Sequence, residues 1–168
     1  MLKHLTAILA NRDLTDVMKL SADHARARVS QRESLSIDVL LNQCNLSPDL
    51  LPQSRDLLVR LGDALGIDPG RLRPSDHFAT LFRIPHRDLG AKAAAVLARH
   101  QVADPVEVFG FEILHVLETA SGKSKWTTQR LTLENPPNNE EQWLDTIMGM
   151  NLGQLLQFFA PAMAPARH

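Results

Sequence analysis

Apolar residues recur at three- and four-residue steps through most of the chain, the spacing that lines one face of an α-helix. From Asp13 to about Ser30 the stripe is Leu14, Val17, Met18, Leu20, Ala22, Ala25 and Val29, with Lys19, Asp23, Arg26 and Arg28 opposite it. A second helix is expected over Leu35 to Cys44, burying Leu35, Val39, Leu40 and Cys44, and ending before Ser47-Pro48. Ser54 to Gly66 reads as a third, with serine as N-cap, glycine as C-cap, and Leu57, Leu58, Leu61 and Leu65 on one face. Ile67 to Gly70 is turn chemistry, Arg71 to Pro74 an extended connector, and Ser75 to Phe82 a short helical turn. Past Pro85 the pattern predicts an alanine-rich helix from His86 to about Gln101 and another from Pro105 to Gly122. Trp126 to Leu133 alternates and is rich in β-branched residues, so a short strand or extended arm is expected there; alone it is not stable. Two short helices, Glu140 to Met148 and Leu152 to Phe159, follow a polar break at Asn135 to Asn139.

The expected fold is therefore mainly α: an irregular bundle of about seven helices with at most one short β pair. Its core should hold Leu57, Leu58, Leu61, Leu65, Phe78, Phe111, Leu114, Trp143, Leu155 and Phe158. All eight aromatic residues lie at or after Phe78, so a subdomain boundary, if there is one, belongs near Pro74. We read residues 1–168 as a single helical domain, with a frayed tail at 161–168.

Composition adds little that is positive but excludes several classes. With 168 residues, 44% of them hydrophobic, the chain is long enough for one self-supporting core. Cys44 is the one cysteine, so it forms no internal disulfide and builds no multi-cysteine zinc site, which points to a reducing, cytoplasmic compartment. The stretch from Leu5 to Ala10 is too short for a signal sequence core and runs into Asn11-Arg12-Asp13, and no run approaches the length of a membrane span. A net charge of −1 disfavours nucleic acid as the general partner. The charge is unevenly placed, however. Arg71 to His100 carries six cations against Asp76 and Asp88, while Asp104 to Asp145 carries eight acids against three cations.

No catalytic constellation stands out. Ser121-Gly122-Lys123-Ser124 resembles the end of a phosphate-binding loop, but Leu117 occupies the place of its first glycine and the segment follows a helix instead of opening one. Asp76-His77 and His86-Arg87-Asp88 are the densest acid–base candidates, yet Pro85 lies between the histidines and they share no helical face. A small hydrolase-type enzyme using His77, His86 or Cys44 is the weakest reading, and we expect no cofactor and no metal.

Two binding readings remain. Ser36 to Leu51 resembles a helix-turn-helix, with Asn45 at the turn and Leu46-Ser47-Pro48 opening the second helix. Pro52 is expected to interrupt that helix after one turn, and Asp49 is an acid where phosphates would lie, so a DNA-binding regulator is the alternative and not the leading reading. Leu57 to Phe78, with Leu65-Gly-Ile-Asp-Pro69 followed by Leu72-Arg-Pro-Ser-Asp-His-Phe78, resembles the first helix and long loop of acyl-carrier-like domains. Met150 to Phe159 resembles their short last helix. In that family an Asp-Ser-Leu step opens the second helix, and its serine carries the phosphopantetheine arm. The corresponding region here, Leu81 to Leu89, has no serine, and Ser75 comes too early to replace it. The resemblance thus implies a carrier-like domain that cannot carry, kept for contacts with other proteins. The expected function is a non-catalytic intracellular interaction or adaptor module with a protein partner, and the candidate contact residues are Arg71, Arg73, Arg83, His86 and Arg87.

Overall fold

The computed structural model describes residues 12–102, 138 and 140–162. Among these, seven α-helices appear: α1 Arg12–Ser30, α2 Ile37–Gln43, α3 Leu51–Leu65, α4 Phe78–Leu81, α5 Gly90–Arg99, α6 Glu140–Gly149 and α7 Leu152–Phe159. Single 3-10 turns stand at Pro48–Leu50, Pro69–Arg71, His86–Asp88 and Ala160–Ala162. The described residues hold no strand; the one β-type contact is an isolated antiparallel bridge between His77 and Asn151. The fold is therefore mainly helical, as the periodicity predicts. The helix expected at 105–122, the strand expected at 126–133 and the core positions Phe111 and Leu114 lie outside the described residues.

Two expected helix starts are displaced for identifiable reasons. In α2, Ser36 caps the first turn by accepting the Val39 amide at 3.3 Å, so the buried stripe runs Leu40, Leu41 and Cys44, with Ile37 half-buried beside it. Val39, expected inside, is 44% exposed. Helix α3 starts three residues before Ser54, because Pro52 falls in the first turn, where a missing N–H costs nothing. Ser54 is accordingly a buried residue of the helix and not its cap, and Pro52 does not interrupt the second element of the helix-turn-helix-like segment. The alanine-rich helix starts at Gly90 instead of His86, since His86–Asp88 forms a 3-10 turn first and Gly90 takes a left-handed φ of 70°.

The expected stop at Gly66 is present. With φ 62° and ψ 33°, Gly66 takes the left-handed conformation that closes a helix; its amide reaches the Asp63 carbonyl and the Ile67 amide reaches the Gly62 carbonyl at 2.9 Å. Leu57, Leu58, Leu61 and Leu65 are all buried, which makes α3 the central helix. The main apolar cluster gathers residues on both sides of Pro74, from Ala25 and Leu40 to Phe78, Phe82, Trp143, Leu155 and Phe159. Phe158 is half-buried and packs on it, its ring 5.6 Å from Trp143 and edge-on to Phe159. A smaller cluster of Val17, Ile84, Leu89, Val96 and Leu97 joins α1 to α5.

Helix α1 also serves the ends of other helices. Ser21 donates to the Phe82 carbonyl and Arg28 to the Thr80 carbonyl, where α4 runs out of intrahelical donors. Arg26 donates to the Leu65 carbonyl at the end of α3. Carbonyls at a helix C-terminus lack partners and carry the negative end of the dipole, so guanidinium groups are well placed there.

Candidate functional site

The connector from Gly66 to His77, which holds two of the candidate arginines, is shaped by its own polar groups. Asp68 caps the 3-10 turn by accepting the Gly70 amide at 3.0 Å and also accepts the Ser34 hydroxyl at 2.8 Å. The Ser34 hydrogen bond is the main reason its carboxyl is held below the ordinary range; burial opposes it, and the Gly70 amide and Arg71 each add a smaller lowering effect. Gly70 lies so close to the α1–α2 connector that a Cβ there would strike the Leu35 carbonyl, and its own carbonyl accepts the Leu35 amide at 2.9 Å.

Three arginines bind this loop to the segment after α1. Arg71 donates to the carbonyls of Ser30 and Arg32, the latter at 2.5 Å. Arg73 donates to Glu33 at 2.7 Å, Leu72 at 2.8 Å and Gly70 at 3.0 Å, again all carbonyls. Arg32 answers from the other side, reaching the Arg71 carbonyl at 3.2 Å and the carboxylate of the buried Asp76 at 2.6 Å. Asp76 also accepts the Arg73 amide at 2.7 Å, and its carbonyl accepts the amide of Leu152 at 2.8 Å.

The candidate contact residues thus divide. Arg71 and Arg73 are half-buried, with their guanidinium groups occupied by backbone carbonyls in a structural clasp. Arg83 and Arg87 lie beyond α4 on the connector into α5, and both are exposed; Arg87 lies 3.7 Å from the carboxylate of its chain neighbour Asp88. His86 opens the 3-10 turn between them. Lys92, one turn into α5, is also exposed. Leu81, Phe82, Ile84 and Leu89 are buried and anchor this connector.

The other chemistries find little support in the geometry. No group of three or more His, Cys, Asp or Glu suited to a metal occurs among the described residues. Cys44 is buried and its thiol is pushed up by burial, the opposite of an activated nucleophile. His77 is exposed and contributes its backbone to the bridge with Asn151. In the helix-turn-helix-like segment Asn45 takes the left-handed φ of 53° expected of the turn. The helix that follows is the core helix α3, and on its outer side Arg55 pairs with Asp38 and Arg60 with Asp56 at 2.8 Å, which leaves no cationic face for phosphates. No helix among the described residues is long and apolar enough to cross a membrane.

Sequence reasoning missed an apolar groove between the N-terminal half of α1 and the start of α5, with a volume of about 350 Å³. Its signal was the placement of Leu20 in the apolar stripe of α1, although the side chain is 38% exposed. No protein-family model matches the chain, and neither the curated proteins nor the solved structures contain a match to it.

Proposed function

We propose that this chain is a non-catalytic, intracellular protein-interaction module, built like an acyl-carrier domain without its arm-bearing serine, and that it meets its partner through Arg83, Arg87 and neighbouring cations. One observation carries the reading: where a carrier would present its serine, the outward positions are Arg83 and Arg87, over a connector anchored by Leu81, Phe82, Ile84 and Leu89. A cationic face of this kind steers and orients an acidic protein surface. The scaffold resemblance draws support from the union of its two parts. The loop ending at Phe78 and the last helix, some seventy residues later, meet through the Leu152 amide on the Asp76 carbonyl and the Gly153 amide on the Pro74 carbonyl at 3.1 Å.

The test is capture of partners from lysate of the source organism by wild type and by Arg83→Glu/Arg87→Glu, at low and moderate salt. A protein retained by wild type and lost by the double variant, with the circular dichroism of the two unchanged, is the expected result. Retention independent of both arginines sinks the surface assignment. A phosphopantetheinyl transferase with coenzyme A should leave the mass of the protein unchanged; a gain of the arm would restore a carrier role. Salt-sensitive retention of duplex DNA would favour the helix-turn-helix alternative instead.

A further inference from the structure

We draw no further inference here: the strongest candidate, the apolar groove between α1 and α5 lined by Val17, Leu20, Leu89, Ala93 and Val96, carries none because nothing among the described residues shows what covers it.

Discussion

The amide of Leu152 donates to the carbonyl of Asp76 at 2.8 Å, so the last helix starts on the same residue whose carboxylate holds Arg32. Helix α7 is therefore tied to the segment after α1 through the side chain and backbone of one residue. The tie depends on Asn151, which caps α7 by accepting the Gln154 amide at 2.9 Å while Gln154 returns the bond to the Asn151 amide at 2.9 Å. Asn151→Ala should cost about 1 kcal/mol in urea unfolding, and Asn151→Asp much less, because aspartate caps equally well. An alanine variant as stable as wild type would show that the bridge to His77 holds the helix start without the cap.

Asp76 accepts from both the Arg32 guanidinium and the Arg73 amide, and it is buried. Removing the carboxylate strands two donors, one of them charged. Asp76→Ala should thus destabilise by about 2–4 kcal/mol, whereas Arg87→Ala at the exposed connector should stay within about 0.5 kcal/mol. A double-mutant cycle of Asp76→Ala with Arg32→Ala should give a coupling above about 0.5 kcal/mol. Additive losses would mean that the clasp is held by its backbone carbonyls alone.

This clasp also marks where the sequence stopped being informative. Arg71 and Arg73 look like free cations because their partners are the carbonyls of Ser30, Arg32 and Glu33, about forty residues earlier in the chain. A carbonyl has no residue-type signature, so charge counting cannot find it. Helix positions were legible where apolar spacing is strict, as in α1, α3 and α7. Starts were less so: Pro52 reads as a breaker until Pro48–Leu50 is seen to lead directly into α3, and the true stripe of α2 shows only once Ser36 fixes its first turn. The groove was invisible for a related reason. Leu20 fits its stripe, yet it is part-exposed, and the residues that line the groove with it from α5 include the small Gly90, Ala91 and Ala93.

Asp68 gives a signal at acid pH. Its carboxyl is held low chiefly by the Ser34 hydroxyl, so the ionised form is favoured more in the folded chain than in the unfolded one, whose carboxyl titrates near about 3.9. The stabilisation it contributes is present above that value and is lost as the pH falls through the lower folded value. In carboxyl-carbon NMR titrations, Ser34→Ala should move the Asp68 midpoint upward toward the ordinary range. An unmoved midpoint would assign the depression to Gly70 and Arg71 instead.

Cys44 gives the opposite signal at alkaline pH. The side chain is buried at the C-terminal end of α2, with its backbone carbonyl accepting from Gln157 at 3.4 Å, and burial raises the thiol pKa by penalising the thiolate. A thiol that resists ionisation in the fold but titrates near about 8.5 when unfolded stabilises the protein fully below that value. The contribution disappears as the pH rises through the folded value. Wild-type stability should therefore fall more steeply than that of Cys44→Ala as the pH rises above about 8.5. Near pH 8, an alkylating reagent should modify native Cys44 far more slowly than the urea-unfolded chain, since the thiolate is the reacting species. Equal rates in the two states would show that α2 opens readily, and the packing of Leu40, Leu41 and Cys44 against the core would then need to be reconsidered as a frequently broken contact.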